Sequence, residues 1–164
     1  FAILYDTKHL KPIKYYNLGV EPKPSTNAYY LDEAIRILND YEDVEVVCVS
    51  SYVDTEAVSL TPQPNYLNAV VEIKTLLGVR EFFELTVEIE TRLGRQFKGT
   101  SDPRTLDIDL LFFNQDIISD DDLVVPHPLL HDRLFVLKPF QEIAPTLLHP
   151  ILNETVRDLY EKIK

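Results

Sequence analysis

Residues 106–113 read LDIDLLFF, and the alternation of apolar and acidic side chains in this run limits what the chain can fold into. Successive side chains of a β-strand point to opposite faces, so a strand here separates the two kinds of residue. The acidic face carries Asp107 and Asp109. The opposite face carries the apolar residues Leu106, Ile108, Leu110 and Phe112. The pattern therefore predicts a strand that buries one face against a core and presents two carboxylates on the other.

Two valine-rich segments are also typical of strands: VEVVCVSSYV at 44–53 and YLNAVVEIK at 66–74. Two segments, 29–40 and 79–94, have apolar residues at helical spacing. In the first these are Leu31, Ala34, Ile35 and Leu38, with Ser25, Thr26 or Asn27 as the candidate N-cap. In the second they are Phe82, Leu85, Ile89 and Leu93, and Gly94 is a natural C-cap.

A short helix is expected from about Asp132, and a last helix is expected after Thr155 and Asp158, which resemble a capping box. Helices and strands alternate over short connections, and the strands are partly amphipathic. We therefore predict the α+β class, a ferredoxin-like α/β sandwich with helices on the faces of a mostly antiparallel sheet.

A chain of 164 residues, 45% of them hydrophobic, is long enough for one core, so residues 1–164 are expected to form a single domain. The formal net charge of −11 argues against a nucleic-acid partner. No apolar run approaches the roughly 18 residues that span a bilayer, and the first residues do not resemble a secretory signal. We therefore expect a cytoplasmic protein with no membrane partner. The single cysteine, Cys48, lies in an apolar run and is expected to be a half-buried thiol.

The two aspartates suggest a metal site. Carboxylates two residues apart on a strand are separated by about 6.7 Å, and Mg²⁺ prefers one or two carboxylates together with substrate phosphate oxygens. A solvated acidic pair is the alternative that this motif alone leaves open. Basic residues just ahead of the pair favour a phosphate substrate, since phosphoryl transfer depends on positioning and charge neutralisation. These residues are Arg92, Arg95, Lys98 and Arg104.

The order of motifs resembles a known family. VSSYVDTEAV, QPNYLNAVVEI, EIETRLGR, PRTLDIDLL and VPHPLLHDRLFVLKPFQEIAP follow one another over roughly residues 45–150, as in the 6-hydroxymethyl-7,8-dihydropterin pyrophosphokinases. This resemblance implies transfer of pyrophosphate from ATP to a pterin alcohol with release of AMP, in folate biosynthesis. It also implies ATP as co-substrate, two Mg²⁺ ions, and possible fusion or association with other enzymes of the pathway.

The resemblance also implies a role for each matching residue. Asp107 and Asp109 are expected to bind the two Mg²⁺ ions. Arg95 and Arg104 are expected to act in catalysis by contacting the transferring phosphates. The ATP-binding residues are expected to be Glu90, Lys98, His127 and Arg133. The pterin-binding residues are expected to be Thr55, Val58, Tyr66, Asn68 and Phe135, with the two aromatic rings stacked on the flat pterin.

The chain departs from the family pattern in its loops. The usual Gly-Ser-Asn-Leu-Gly turn is replaced by YYNLGVEPKPSTN, in which Gly19 is the matching glycine, and Ser101 and Asp102 replace a Trp-Gly pair before Pro103. Because these loops close over substrates, we expect an active enzyme with an altered lid. Two alternatives remain: a catalytically impaired homologue that binds pterin or nucleotide or serves as an interaction domain, and a different two-metal phosphotransferase or nuclease.

Overall fold

The computed structural model describes residues 13–20 as backbone, and residues 28–55, 66–94 and 106–164 with their side chains. The strands are β1 (Ile13–Val20), β2 (Val44–Val49), β3 (Val53–Thr55), β4 (Tyr66–Thr75), β5 (Asp107–Phe113), β6 (Ile118–Ser119) and β7 (Val124–Val125). The helices are α1 (Tyr29–Asp40), α2 (Val79–Arg92), α3 (Leu134–Ile143) and α4 (Val156–Ile163), and a 3₁₀ turn at Leu130–Asp132 precedes α3.

Four strands form an antiparallel sheet in the order β2-β4-β1-β5, and β3 pairs with the first residues of β4. The predicted strand 44–53 is two strands, because the regular strand pairing with β4 is interrupted between Val49 and Val53. Strands β6 and β7 form a separate two-stranded ribbon beside the end of β5.

Helices cover both faces of the sheet. Neighbouring residues of β4 show this, because Val70 and Val71 point to opposite faces and belong to different core clusters. Val71 packs with buried residues of α1 and α2, including Leu31 and Phe82. Val70 packs with buried residues of α3 and α4, including Phe140 and Leu159. The predicted α+β sandwich is confirmed.

The predicted helix 29–40 is confirmed, and its buried face also includes Ile37. Ile37 is buried at 4% exposure, whereas Ile35 is only partly buried. Ile37 lies next to Ala34 and Leu38 on the apolar stripe, and Ile35 lies at the margin of that stripe. The N-cap position falls on Ala28, which makes no side-chain cap bond. The three candidate caps at 25–27 lie outside the described residues.

The face predicted for Phe112 was wrong. Leu106, Ile108 and Leu110 face the α1–α2 core as expected, but Phe112 packs with Leu111 in the core under α3. A register shift in the β1–β5 pairing explains this, because Tyr15 pairs with Phe112 while Tyr16 pairs with Leu110. Such a β-bulge adds one residue to β5, so the alternation of faces changes beyond Leu110.

The predicted helix ends are confirmed where the structure describes them. Gly94 adopts φ 107° just past α2, a conformation that favours glycine. Thr155 Oγ1 accepts a hydrogen bond from the Asp158 backbone N–H at 3.1 Å, and the Asp158 carboxylate accepts one from the Thr155 N–H. The short helix predicted from about Asp132 begins at Leu134, after the 3₁₀ turn.

The cysteine and the helix lengths were both subjects of prediction. Cys48 is a half-buried free thiol, as predicted, and burial raises its pKa above the ordinary value for cysteine. Within residues 28–55, 66–94 and 106–164, no helix combines the length and apolar character that crossing a bilayer requires.

Candidate active site

The acidic pair lies on β5, the last strand of the sheet order. Asp107 and Asp109 are both partly exposed, and Ile108 between them is buried at 7% exposure. The N–H of Ile108 donates to Glu90 Oε1 at 2.7 Å, and Glu90 reaches it from α2. Glu90 is 2% exposed, so a buried carboxylate holds the backbone at the point between the two aspartates. Among the described strands β5 is the last in the sheet order, so this bond gives its backbone a side-chain partner.

Two basic side chains converge on Asp109. Arg133 Nη1 lies 3.3 Å from Asp109 Oδ2, and His127 Nε2 lies 3.8 Å from the same oxygen. Arg133 Nη1 is also 3.4 Å from His127 Nε2. Asp109, His127 and Arg133 were all predicted as site residues, and the structure brings them together although they are separated in sequence. An acidic side chain and two nitrogen groups therefore meet at one point beside β5.

His127 is held by backbone contacts on both sides. Its own N–H donates to the Leu111 carbonyl of β5 at 2.9 Å, and its Nδ1 accepts from the Leu129 N–H at 3.1 Å. A neutral ring held in this way carries its proton on Nε2, the nitrogen nearest Asp109. Burial lowers the pKa of His127; the Asp109 carboxylate opposes this shift, and the Arg133 guanidinium adds to it.

The residues predicted to bind the pterin edge lie on β3 and β4. Asn68 is 3% exposed, and its Nδ2 donates to Thr55 Oγ1 at 2.9 Å. The Thr55 hydroxyl in turn donates to the Tyr66 carbonyl at 3.3 Å. Buried asparagine is uncommon in strands, and here a neighbouring hydroxyl partly satisfies it. Thr55, Tyr66 and Asn68 therefore form one connected polar group.

Phe135 lies at the first turn of α3, in partial contact with the core under that helix. The Arg133 guanidinium carbon lies 5.8 Å from the centre of the Phe135 ring, a cation–π distance. Arg133 therefore contacts Phe135, predicted for the pterin, as well as Asp109, predicted for the metal.

Strand register places the two predicted subsites in one row. Strand β1 lies between β4 and β5 and pairs Ile13 with Lys74 and Val20 with Leu67, which sets Gly19 opposite Asn68. Gly19 also pairs with Asp107 on the other side. Paired residues share a face, and adjacent strands are about 4.8 Å apart, so Asn68 and Asp107 flank Gly19 at a separation of about 10 Å. The middle residue of this row has no side chain.

A cleft of about 220 Å³ runs along β5, and its lining includes Glu90, Asp107, Asp109 and His127. Asp122 also lines this cleft. It is held there by Arg80 of α2, whose Nη1 contacts both carboxylate oxygens at 2.7 and 2.8 Å. Arg80 and Asp122 were not among the predicted site residues, and no local pattern signals their contact, because they are 42 positions apart.

The other predicted site residues, Val58, Arg95, Lys98 and Arg104, lie outside the described residues. Within the described ranges, no group of three or more His, Cys, Asp or Glu side chains is arranged to hold a metal ion. Two carboxylates that share the ion with substrate oxygens are consistent with this result, because Mg²⁺ is usually bound by one or two carboxylates rather than by a protein cage.

Comparison with known proteins identifies the family. The family model for 7,8-dihydro-6-hydroxymethylpterin-pyrophosphokinase (HPPK) matches residues 5–145. Over 115 residues the chain is 45% identical to the 2-amino-4-hydroxy-6-hydroxymethyldihydropteridine pyrophosphokinase of Bacillus subtilis, covering 70% of this chain and 69% of that protein. It is 36% identical over 115 residues to the bifunctional protein FolKE of Lactococcus lactis subsp. cremoris, covering 70% of this chain and 33% of that protein.

Among solved structures, HPPK-DHPS of Plasmodium falciparum with pteroate matches with a TM-score of 0.72 and 16% identity. The match covers 93% of this chain and 42% of that one, and it shows the shared fold.

The fold and the comparisons define a diphosphotransferase domain. The chain belongs to the 7,8-dihydro-6-hydroxymethylpterin-pyrophosphokinase family. Its activity is the transfer of pyrophosphate from ATP to 6-hydroxymethyl-7,8-dihydropterin in folate biosynthesis, with Mg²⁺ as the metal. The predicted family and activity are confirmed, and no observation favours the catalytically impaired alternative.

Proposed function

We propose that Asp107 and Asp109 hold two Mg²⁺ ions against the phosphates of ATP, while Thr55, Asn68 and Phe135 bind the pterin beside them. The observation that carries this proposal is the row Asn68, Gly19, Asp107 across three adjacent strands. In this row the Asn68 and Asp107 positions are about 10 Å apart on one face, which supports a pterin site next to a metal site. A glycine between them leaves room for the substrates to meet.

The donor set suits Mg²⁺. Asp107 and Asp109 point to the same face, both are partly exposed, and Glu90 fixes the backbone between them. Hard carboxylate oxygens that leave coordination positions for water and phosphate are what this ion prefers. When bound, Mg²⁺ neutralises charge on the phosphate oxygens and orients them for displacement.

The protein's own groups then position the reactants. The hydroxymethyl oxygen of the pterin attacks the β-phosphorus of ATP, a new O–P bond forms, and the bond from the β-phosphorus to the oxygen bridging to the α-phosphorus breaks, releasing AMP. The hydroxyl proton passes to solvent water, and the electron pair of the broken bond leaves with the AMP oxygen. Arg133 and His127 stand beside Asp109 and supply donors for phosphate oxygens. Arg95, Arg104 and Lys98 are proposed to surround the same phosphates.

The pterin subsite uses the polar group on β3 and β4. Because Asn68 is buried and bound to Thr55, its amide is held in one orientation and presents a directed polar edge. Tyr66 and Phe135 are proposed to stack on the two sides of the planar ring, and Val58 is proposed to contact its edge. Glu90 is proposed to lie near the nucleotide, since it lines the cleft beside both aspartates.

Fusion to other folate-pathway enzymes is a further proposal for the native polypeptide. One relative is named as a bifunctional protein, and the match covers 33% of its length. A solved structure titled HPPK-DHPS is covered over 42% of its chain. Residues 1–164 are proposed to form one domain in either case, located in the cytoplasm. An antibody raised against this chain would show the length and the cellular fraction of the native polypeptide.

The metal assignment is tested with Asp107→Asn and Asp109→Asn, with Asp116→Asn as the control. Asp116 is an exposed carboxylate in the turn after β5, so its replacement changes the net charge equally but leaves the site intact. AMP release from ATP, Mg²⁺ and the reduced pterin should fall about 10³-fold or more in the two site variants, which corresponds to about 4 kcal/mol of transition-state stabilisation. Near-full turnover in either site variant would contradict the assignment.

A further inference from the structure

A polar contact joins α3 to the segment between β2 and β3. The Ser51 backbone N–H donates to Glu142 Oε2 at 2.9 Å, and the Ser51 hydroxyl donates to Glu142 Oε1 at 2.6 Å. Both residues are exposed, and both oxygens of one carboxylate are used. We refer to this pair of bonds as the Ser51–Glu142 clasp. The activity described above assigns it no task.

One end of the clasp is fixed to the sheet. Ser50, next to Ser51, is 6% exposed and bonds to Val70 of β4 twice. Its N–H donates to the Val70 carbonyl at 2.9 Å, and its hydroxyl oxygen accepts from the Val70 N–H at 2.9 Å. Two residues beyond Ser51 the chain enters β3, where Thr55 holds the Asn68 amide. The position of Ser51 is therefore tied to the polar group that faces the pterin.

The other end of the clasp is on the helix that carries Phe135. Glu142 follows Phe135 by seven residues, so both lie on nearly the same side of α3, about 10 Å apart along its axis. Pro139 has no N–H to donate to the Phe135 carbonyl, so the first turn of α3 lacks one of its helical hydrogen bonds. The clasp therefore adds a directed contact between this helix and the segment leading into β3.

From this geometry we infer that Ser51 and Glu142 are positioning residues for the pterin: they set the distance between the Phe135 ring and the Thr55–Asn68 pair. The inference rests on the pterin subsite proposed above. A planar ring stacked on Phe135 meets the Asn68 amide at hydrogen-bonding distance only when that spacing is kept. Loss of the clasp is then expected to weaken pterin binding and to leave ATP binding unchanged.

The decisive variants are Glu142→Ala and Glu142→Gln. Alanine removes both bonds. Glutamine retains both, because its Oε1 accepts from the Ser51 N–H and its Nε2 donates to the Ser51 hydroxyl oxygen. Tyr52→Phe is the matched control, since the Tyr52 hydroxyl bonds Asp32 of α1 from the same segment but toward a different helix.

Pterin affinity is measured by calorimetry with Mg²⁺ and an unreactive ATP analogue, alongside the KM of each substrate and the unfolding temperature. We expect Glu142→Ala to raise the pterin Kd and KM about fivefold to tenfold, with the KM for ATP within twofold of the wild type. Glu142→Gln and Tyr52→Phe should stay within twofold for both substrates. Ser51→Ala, which removes one bond of the clasp, should fall between and serves in place of Glu142→Ala if that protein does not fold.

The variant Asn68→Ala tests the proposed pterin subsite independently of the Ser51–Glu142 clasp. If Asn68→Ala weakens pterin binding and Glu142→Ala does not, the clasp has no positioning role and the subsite stands. If Asn68→Ala leaves pterin binding unchanged, the subsite itself is wrong. Equal loss of affinity for pterin and ATP in Glu142→Ala, or an equal effect of Tyr52→Phe on pterin, would show a general structural role and overturn the inference.

Discussion

The bond from Ile108 to Glu90 gives a sharp prediction about how the acidic pair is held in place. Glu90 is 2% exposed, and its Oε1 accepts from the Ile108 N–H at 2.7 Å. Ile108 is itself buried and lies between the two aspartates. We predict that removing this acceptor both destabilises the fold and displaces the site.

The loss in free energy of unfolding depends on what replaces the Glu90 carboxylate. Glu90→Leu keeps most of the volume but leaves a buried backbone donor without a partner, which costs about 1–3 kcal/mol. Glu90→Ala adds the loss of packed side-chain atoms, so we expect a total of about 2–4 kcal/mol. Glu90→Gln keeps an acceptor oxygen and should cost about 1 kcal/mol or less, the difference between a charge-assisted and a neutral hydrogen bond. A domain stable by about 5–15 kcal/mol remains folded in all three variants.

The assay is urea unfolding followed by far-ultraviolet circular dichroism and tyrosine fluorescence, since the chain has nine tyrosines and no tryptophan. An unchanged m-value shows that the native state is as compact as before. Turnover of the same proteins reports on the aspartates, and kcat should fall in the order Gln, Leu, Ala. If Glu90→Leu and Glu90→Ala both lose less than about 0.5 kcal/mol, the bond to Ile108 does not hold β5.

Three further predictions concern other parts of the molecule. Burial lowers the pKa of His149 to about 4, below the 6.5 of an exposed histidine, so the unfolded chain binds more protons between these values. The free energy of unfolding should therefore fall by up to about 3 kcal/mol as the pH drops from 6.5 to 4. Urea titrations at several pH values should show a smaller fall for His149→Asn, and an equal fall in the variant and the wild type would refute the role of His149. Thr155→Ala removes the N-cap of α4 and should cost about 1 kcal/mol, measured by thermal unfolding, and no loss would mean the cap is unimportant. Arg133→Gln should raise the KM for ATP about tenfold with little change in the pterin KM. If only the pterin KM rises, Arg133 acts by holding the Phe135 ring and not by binding phosphates.

Local patterns predicted the main elements because each depends on neighbours in sequence. The stripe of α2, the Gly94 terminus and the Thr155 cap each involve residues within a few positions, and all three are confirmed. The face of Phe112 could not be predicted in this way. It depends on a bulge in β5, which is visible only once β1 is paired beside it.

The site could be predicted only in part, for the same reason. The motif order named Asp109, His127 and Arg133, but nothing local shows that three atoms from different segments converge within 4 Å. The roles of Glu90 toward Ile108 and of Glu142 toward Ser51 are contacts between residues 18 and 91 positions apart. Such contacts have no local sequence signature, because the partners are far apart along the chain and include backbone N–H groups that every residue except proline possesses.

Asp107 and Asp109 are proposed to bind the metal ions that contact the phosphates of ATP. The most direct measurement is a crystal of the complex with an unreactive ATP analogue, the pterin and Mn²⁺ in place of Mg²⁺, with anomalous diffraction data to locate the metal. We expect two anomalous peaks within about 2.5 Å of carboxylate oxygens of Asp107 and Asp109, each also contacting a phosphate oxygen. Anomalous peaks on the nucleotide alone, with both aspartates facing only solvent, would contradict it.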